Sequence, residues 1–436
     1  MRAAGHRAVV AWDARGVMRE VPLGGLTEVP SDRARAGAGG AGGAAPVELR
    51  GAAEVVATPD GLLPHRLPAA ARAQMPDDFV RLVEQQPAGV RLALRTAARR
   101  LELDVRLRRS LSVNRPSGEP GVVPPAQPWD VVVDGAVVAI VRPGDGHGLV
   151  EMDYGARRGR WTAAPVETLV VELPPGDKDV ELWLPYGEVV TLVALRADDA
   201  VGPPAGARGP RWVHHGSSIS HGASADRPTG TWTAVAARAL GLDLVNLGLA
   251  GNAVLDPFVA RAIRDQPADL ITLKLGINVV NHDVMRRRAF LPAVEGFLDT
   301  IREGHPTTPL LVVSPIVCPL VEDRPGPTSI DPASPASAPV FRSTGRPEEL
   351  AEDKLSLPAI RDALAEVVGR RAAADPAIAY LDGLELFGAA EVAAMPLPDA
   401  LHPDPAGQRH IGERFAALVP GLVRVPPGAS EEPPPG

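Results

Sequence analysis

The sequence predicts a two-part α/β protein in which an antiparallel β-sandwich precedes a domain built on a parallel sheet. Three observations lead to this fold class. Between about residues 46 and 200, apolar and polar residues alternate and turn signals recur. After residue 210, short apolar strand candidates alternate with helix candidates, which is typical of a parallel sheet covered on both faces. The Pro/Gly-rich segment VGPPAGARGP, residues 201–210, separates the two patterns and is interpreted as a linker.

The first half of the chain supplies the strands of the predicted sandwich. Residues 90–107 alternate apolar and polar side chains, and residues 129–141 and 168–185 each hold two apolar runs divided by a turn. No long helical pattern interrupts them, which favours an antiparallel sandwich. Residues 1–45 contain the low-complexity stretch GAGGAGGAA and are interpreted as a poorly ordered tail. Residues 423–436 are interpreted as a disordered Pro-rich tail.

The second half, residues 211–422, supplies the predicted parallel sheet. Its strand candidates, in chain order, are RWVHHG, LDLVNLGL, DLITLKLG, PLLVVSPI and AIAYLDG. Its helix candidates lie near residues 231–240, 255–266, 288–303, 347–374 and 404–418. Sheets of this kind bind ligands outside the carboxyl ends of their strands, so the chemistry of the protein is expected at that edge.

Composition excludes several classes of function. The 436-residue chain has a net charge of −8 and no Lys/Arg block, so nothing offers the phosphates of a nucleic acid a basic track. The only cysteine, Cys318, rules out an intramolecular disulfide and a multi-cysteine metal site. No apolar run reaches the roughly 18 residues of a membrane span, and the first residues lack a secretory apolar region. We therefore expect a cytoplasmic protein without a membrane partner, while the oligomeric state is left open.

Polar or glycine-rich residues follow four of the predicted strands. They are Gly216-Ser217-Ser218 after the first strand, NLGLAGN at 246–252, LGINVVN at 275–281, and PDALHPD at 398–404 beyond the last strand. Each segment alone is explained by an ordinary turn or helix entry. Together, at one edge of a sheet, they indicate acyl transfer, in which a serine needs a histidine as base and the histidine needs a carboxylate to orient it.

The residue types that acyl transfer requires are all present. Ser218, His402 and Asp399 supply a nucleophile, a base and an orienting acid. The backbone N–H groups of Ser218 and Gly251 and the side-chain amide of Asn278 supply donors for the oxyanion of a tetrahedral intermediate. At Gly251, a side chain would block the close approach of the backbone to a substrate.

The four blocks GSSIS, NLGLAGN, LGIN and DALH resemble, in the same order, those of the SGNH (GDSL) hydrolase superfamily. The resemblance covers roughly residues 210–420, and the aspartate three residues before the histidine is its most specific feature. It implies a flavodoxin-like catalytic domain with Ser218 as nucleophile and oxyanion donor. Gly251 and Asn278 would be the other oxyanion donors, His402 the base and Asp399 its acid. The first half also resembles the jelly-roll-like sandwich that precedes this domain in some two-domain SGNH esterases.

The nucleophile block departs from the family pattern. Ser217 stands where the family has the aspartate of GDS, and the asparagine block reads GIN-Val where GxND is common. Ser218 is preferred as the nucleophile because it aligns with the third position of GDS, and Ser217 and Ser220 are the other serines of the block.

The histidines of the same block do not have the spacing of a metal site. His214 and His215 are neighbours on a predicted strand, so their side chains point to opposite faces, and His221 lies beyond the turn. The sequence has no HExxH spacing and no cysteine pair. Neither a metal nor another cofactor is expected.

The sequence therefore predicts a serine esterase that removes short acyl groups from a sugar or another small polar molecule. Three alternatives stay open: an acyltransferase, a thioesterase or lipase with the same triad, and a non-catalytic carbohydrate-binding protein. The Pro/Ser-rich segment 322–346 is expected to be either a lid over the site or disordered. Trp129, Trp212 and Trp232 are expected to pack in the core.

Overall fold

The computed structural model describes residues 18–23, 26, 45–115, 117–118, 121–206 and 208–424. Within them, two β-sheets form an N-terminal domain, and a parallel sheet flanked by helices forms a C-terminal domain. This is the predicted mixed α/β fold class. Most of the two predicted tails lies outside the described residues.

The N-terminal domain is built from two sheets whose inner faces share one apolar core. Its strands are β1 (Arg19–Val21), β2 (Glu48–Arg50), β3 (Glu54–Thr58), β4 (Gly61–His65), β5 (Arg91–Thr96), β6 (Arg100–Ser112), β7 (Trp129–Val133), β8 (Ala136–Val141), β9 (Gly148–Asp153), β10 (Arg158–Trp161), β11 (Glu167–Glu172), β12 (Lys178–Trp183), β13 (Glu188–Ala197) and β14 (Val201–Gly202). One sheet has the order β10-β9-β6-β13-β4-β3, with β1 beside β13 and β11 beside β6. The other has the order β14-β5-β12-β7-β8, with β2 beside β5.

The alternation of strand β6 shows why this sequence forms a sandwich. Leu101, Leu103 and Val105 are fully buried at alternate positions, because successive side chains of a strand point to opposite faces. Between them, Glu102 and Asp104 face outward, where both pair with Arg196 of the neighbouring strand β13. The inner face therefore stabilises the fold by apolar burial, and the outer face carries charges.

One strand pairing differs from the predicted antiparallel pattern. Strand β9 pairs parallel with β6, with Arg108 opposite Gly148. The reason is topological: after β6 the chain crosses to the other sheet, forms the β7–β8 hairpin there, and returns to run beside β6 in the same direction. No local sequence signal distinguishes such a return from a hairpin.

Two other segments are more ordered than the sequence predicts. Residues 19–21, assigned to the tail, form β1 and pair with β13, and Val21, Leu23 and Leu26 are buried in the sandwich core. Val201 and Gly202, assigned to the linker, pair with β5 as β14. The order of residues 19–21 is explained by the burial of Val21, Leu23 and Leu26, which are apolar residues near a low-complexity stretch.

The N-terminal domain also contains two helices, Ala69–Arg72 and Asp78–Gln85, in the segment where no long helical pattern was found. The second helix begins at an N-cap, because the Asp77 carboxylate accepts hydrogen bonds from the N–H groups of Phe79 and Val80, both at 3.0 Å. This helix lies beside the C-terminal domain and brings Phe79 to it.

The C-terminal domain has a parallel sheet of strands β15 (Arg211–Gly216), β16 (Asp243–Gly248), β17 (Leu270–Lys274), β18 (Leu310–Val313) and β21 (Ile378–Leu381). A separate hairpin joins β19 (Thr328–Ile330) to β20 (Phe341–Ser343). The helices are Ser218–His221, Trp232–Ala239, Pro257–Arg264, Ile277–Asn281, Arg287–Gly304, Leu357–Ala372, Ala389–Ala394 and Pro405–Leu422. Short 3₁₀ turns lie at Pro228–Gly230, Ala250–Asn252, Pro319–Val321, Pro347–Glu352 and Gly383–Glu385.

The order of the parallel sheet is β16-β15-β17-β18-β21, so that the first strand lies between the second and the third. This is the flavodoxin-like order, in which ligands bind at the carboxyl ends of the strands where the order reverses. The residues that follow β15, β16 and β17 all lie at this edge. Trp212 and Trp232 are fully buried in this domain and Trp129 is buried in the sandwich, as predicted.

Buried polar contacts join the two domains. Arg66, which is 1% exposed, donates to the carbonyl oxygens of Asn246 and Gly248, both at 2.8 Å. Arg91 forms a buried ion pair with Asp243. Burial lowers the pKa of Arg66 to about 10, an effect that Glu84 opposes, so the guanidinium stays charged at neutral pH. These contacts hold the sandwich against strand β16 of the parallel sheet.

No helix among the described residues has both the length and the apolar character needed to cross a membrane.

Candidate active site

A chain of hydrogen bonds joins Ser218, His402 and Asp399 at the carboxyl edge of the parallel sheet. Ser218 Oγ lies 2.8 Å from His402 Nε2, and His402 Nδ1 lies 2.6 Å from Asp399 Oδ2. The serine and the histidine are 184 residues apart in the chain. The fold therefore brings together the three residues predicted as nucleophile, base and acid.

The Asp399–His402 turn explains how an aspartate so close in sequence can orient the imidazole. Asp399 Oδ1 accepts the backbone N–H groups of Leu401 at 2.9 Å and His402 at 2.7 Å, so one carboxylate oxygen closes the turn while the other meets the ring. Burial alone would raise the pKa of the Asp399 carboxyl, but the hydrogen bonds from His402 and from the backbone outweigh it. The pKa lies below its ordinary value, so Asp399 is ionised at neutral pH and can stabilise an imidazolium.

Ser218 is the first residue of the short helix that follows β15, and its neighbours have other environments. The Ser217 hydroxyl is buried and has no hydrogen-bond partner among the described residues. Ser220 Oγ lies 2.8 Å from His214 Nε2, inside the domain. Of the three serines, Ser218 is the one in contact with His402. At Gly216, a Cβ would lie 2.4 Å from Ser220 Oγ, so this turn admits only glycine without displacing Ser220.

Asn278 is held in an orientation suited to donating a hydrogen bond. Its Oδ1 accepts the backbone N–H of Ala253 at 3.0 Å, so the oxygen is engaged and the amide NH₂ is the end left for another partner. It lies on helix Ile277–Asn281, which begins after Gly276, where φ is +110°. A Cβ at Gly276 would lie 2.2 Å from Ile360, so this turn too requires glycine.

Gly251 lies in the 3₁₀ turn after β16, between two rings. A Cβ at this position would lie 3.3 Å from Phe79 Cε1 and 3.3 Å from His282 Nε2. His282 Nε2 donates to the Gly251 carbonyl at 2.7 Å, and burial lowers the pKa of His282, so the imidazole is neutral at neutral pH. The carbonyl of this peptide is thus fixed by His282.

The three histidines near Ser218 are separated, as the strand geometry predicts. His214 contacts Thr272 and Ser220, His215 Nδ1 donates to the carbonyl of Leu247 at 2.8 Å, and His221 Nε2 donates to that of Tyr186 at 2.6 Å. Burial lowers the pKa of His215 to about 4 and that of His221 to about 3, and holds the pKa of His214 well below its ordinary value. In the described part of the chain, no three His, Cys, Asp or Glu side chains are placed to share a metal ion.

A residue that the sequence analysis did not single out covers the histidine. Phe341 packs edge-to-face on His402, with ring centroids 5.7 Å apart, and its N–H donates to the Asp399 carbonyl at 2.8 Å. Phe341 begins β20, so the hairpin of Thr328–Ile330 and Phe341–Ser343, inside segment 322–346, brings this ring to the site. The one available signal was an apolar pair, Val340-Phe341, inside a Pro/Ser-rich stretch.

The chain resembles known proteins in sequence and in fold. Residues 211–318 match the model of the GDSL-like Lipase/Acylhydrolase family. Among solved structures, the salicylyl-acyltransferase SsfX3 from a tetracycline biosynthetic pathway is 29% identical, with a TM-score of 0.68 over 86% of this chain and 94% of the other. The chain matches no curated protein sequence.

Two further structures share the fold at lower identity. A putative GDSL-like lipase from Bacteroides ovatus is 20% identical, with a TM-score of 0.59 over 86% of this chain and 96% of the other. A family two carbohydrate esterase from Clostridium thermocellum, solved with cellohexaose, is 12% identical, with a TM-score of 0.50 over 77% of this chain and 92% of the other. Residues 211–318 therefore resemble a GDSL-like lipase/acylhydrolase domain, and the fold of the whole chain, a β-sandwich domain in front of a parallel-sheet domain, is similar to the folds of these solved structures.

Proposed function

We propose that this protein is a serine esterase that forms an acyl-enzyme on Ser218, with residues 211–422 as its catalytic domain. The observation that carries the proposal is the hydrogen-bond chain from Ser218 through His402 to Asp399. A serine hydroxyl is a weak nucleophile at neutral pH, and this chain supplies the base and the orienting carboxylate that activate it.

In acylation, Ser218 Oγ attacks the ester carbonyl carbon while its proton passes to His402 Nε2. The negative charge that develops on the carbonyl oxygen is stabilised by the N–H groups of Ser218 and Gly251 and by the amide of Asn278. The bond to the alcohol then breaks, and His402 returns the proton to the departing oxygen. Asp399 holds the imidazole in the required tautomer throughout.

In deacylation, a water molecule gives a proton to His402 and attacks the acyl carbon. Ser218 Oγ leaves, takes the proton back from His402, and the carboxylic acid is released.

We propose a short acyl group on a sugar or another small polar molecule as the substrate. The support is associative, since carbohydrate esterases occur among the proteins that share the two-domain fold.

An acyltransferase is the second candidate, and a specific observation favours it. The salicylyl-acyltransferase is more similar to this chain, at 29% identity, than the carbohydrate esterase, at 12%. In addition, Phe341 covers the His402 ring. If the covered site limits the access of water to the acyl-enzyme, another alcohol can take the acyl group instead.

One set of assays tests the proposal and separates the candidates. The protein is given p-nitrophenyl esters from acetate to decanoate, with and without a competing alcohol such as glycerol, and the acyl products are identified by mass spectrometry. A short-chain esterase releases free acid from acetate fastest, whereas an acyltransferase yields mainly the new ester. A preference for long chains would indicate a lipase, faster turnover of matched thioesters a thioesterase, and a wild-type protein inert toward all esters would overturn the proposal.

A further inference from the structure

The turn that presents Gly251 needs support from its surroundings. Ala250, the residue before it, has a φ of +48°, a left-handed conformation that is unfavourable for an alanine. Such a conformation persists only where neighbouring groups fix it. The side chain that fixes this turn most directly is Asn252, whose Nδ2 donates to the carbonyl of Leu249 at 3.1 Å.

Asn252 is held from the other domain. Arg157, in the turn between β9 and β10 of the sandwich, donates from Nη2 to Asn252 Oδ1 at 2.5 Å. Asn252 itself is 3% exposed, so this contact replaces solvent for its amide oxygen. The guanidinium therefore fixes the amide in the orientation that bonds Leu249.

Arg157 is in turn fixed on two further sides. Its Nε donates to Asp77 Oδ2 at 2.5 Å, and its guanidinium lies 5.1 Å from the centroid of the Phe79 ring. Tyr154 packs edge-to-face on the same ring at 5.1 Å between centroids. Phe79 is one of the two rings that a Cβ at Gly251 would meet, so the guanidinium reaches the Gly251 turn both through Asn252 and through Phe79.

We propose that Arg157 is a positioning residue, which acts through Asn252 and Phe79 to hold the Gly251 N–H where the oxyanion forms. This inference rests on the proposed function, because it assigns a role to a sandwich residue in the same site. Its consequence is that the sandwich domain completes the oxyanion hole and is more than a module attached to an autonomous enzyme.

The test compares Arg157→Met with Arg160→Met in the full chain. Arg160 lies in the same hairpin, but its ion pair with Glu151 is exposed, so it serves as the matched control. We expect Arg157→Met to lower kcat on p-nitrophenyl acetate roughly 10- to 50-fold with KM changed less than about threefold, and Arg160→Met to leave both unchanged. This size is smaller than the 10²- to 10³-fold loss typical when an oxyanion donor is removed outright.

A second measurement reports on the oxyanion directly. A boronic acid forms a tetrahedral adduct with an active-site serine, and one of its oxygens takes the oxyanion position. We expect its inhibition constant to rise in Arg157→Met by about the factor by which kcat/KM falls. Added guanidinium ion should restore part of the activity of Arg157→Ala and none of that of Asn252→Ala.

Three outcomes would overturn the proposal. One is a folded Arg157→Met protein with kcat and the boronate constant within twofold of wild type. Another is a loss confined to KM, which would make Arg157 a substrate contact. If Arg157→Met does not fold, Arg157→Lys is used, and strictly additive effects of Arg157→Lys and Asn252→Ala would likewise contradict the coupling. Failure of the proposed function itself would look different, since Ser218→Ala would then keep its activity.

Discussion

Ser218 and Ser220 lie two residues apart, and each forms a hydrogen bond of the same length with a different histidine. Ser218 Oγ is 2.8 Å from His402 Nε2, and Ser220 Oγ is 2.8 Å from His214 Nε2. The second ring nitrogen has a partner at 2.6 Å in both cases, which is the carboxylate of Asp399 for His402 and the hydroxyl of Thr272 for His214. Distance alone does not tell the two pairs apart.

The two pairs differ in the solvent exposure of the histidine and in the charge of its second partner. His214 is 0% exposed, and burial and the neighbouring charges hold its pKa so low that it stays neutral. A threonine hydroxyl cannot compensate the positive charge that a base acquires when it takes a proton. His402 is 8% exposed and faces the ionised Asp399. A catalytic serine–histidine pair therefore needs a carboxylate beside the histidine and access for the substrate. The same spacing inside the core serves packing and hydrogen bonding.

The largest expected effect separates the two serines. Ser218→Ala or His402→Ala should lower kcat by about 10⁶-fold, because either change removes the nucleophile or its base. Ser220→Ala should keep kcat within a few-fold and lower the free energy of unfolding by about 1–3 kcal/mol, since His214 Nε2 then lacks a partner. Initial rates on p-nitrophenyl acetate and urea unfolding measure both. An equal loss of kcat in Ser218→Ala and Ser220→Ala would contradict the assignment of Ser218 as the nucleophile.

The next effect tests the acid. Asp399→Asn should lower kcat about 10⁴-fold, because the amide cannot stabilise the imidazolium and favours the wrong tautomer of His402. Thr272→Val, the matched change in the buried pair, should leave kcat nearly unchanged per folded molecule. The same rate assay applies, with circular dichroism as the check on folding. An Asp399→Asn enzyme at near wild-type kcat would show that another group orients His402.

A smaller effect tests the oxyanion donor. Asn278→Ala should lower kcat by about 10²- to 10³-fold with little change in KM, because the amide stabilises charge that exists only in the transition state. Asn281→Ala, at the end of the same helix, is the control and should retain most of the activity. A change in KM alone would indicate that Asn278 binds the ground state of the substrate.

Substitution of the buried histidines should have the smallest effect on activity but a clear effect on how the free energy of unfolding depends on pH. His214, His215 and His221 have folded pKa values below that of an exposed histidine, so the unfolded chain binds protons that the folded chain does not. Their contribution to stability is therefore present above about pH 6.5 and is lost as the pH falls toward the folded pKa values, which are about 4 for His215 and about 3 for His221. Each histidine contributes up to about 1.4 kcal/mol per pH unit. Urea unfolding between pH 7 and pH 5 should show a shallower dependence in His215→Phe, and an unchanged slope would contradict the burial argument.

The residues at the strand ends were predictable because their signals are local. Gly216, Gly276 and the aspartate three residues before His402 are required by turns only a few residues long. The parallel pairing of the strands followed from the alternation of strands and helices, and the structure confirms it.

The remaining features depend on contacts between distant parts of the chain. Phe341 reaches His402 from a hairpin, Arg157 reaches Asn252 from the other domain, and β9 returns to β6 after crossing the sandwich. None of these has a periodicity or a local spacing that a single sequence reveals. The residues of the candidate site are thus predictable from the sequence, whereas the residues that position and cover them are not.

The position of the acyl group on the enzyme is the most direct test of an acyl-enzyme on Ser218. The protein is quenched in acid during turnover of p-nitrophenyl acetate, digested, and sequenced by tandem mass spectrometry over residues 212–227. We expect an acetyl group on Ser218 in the wild type and in Ser220→Ala, and none in Ser218→Ala. Acetylation of Ser217 or Ser220 during turnover, or full activity in Ser218→Ala, would contradict it.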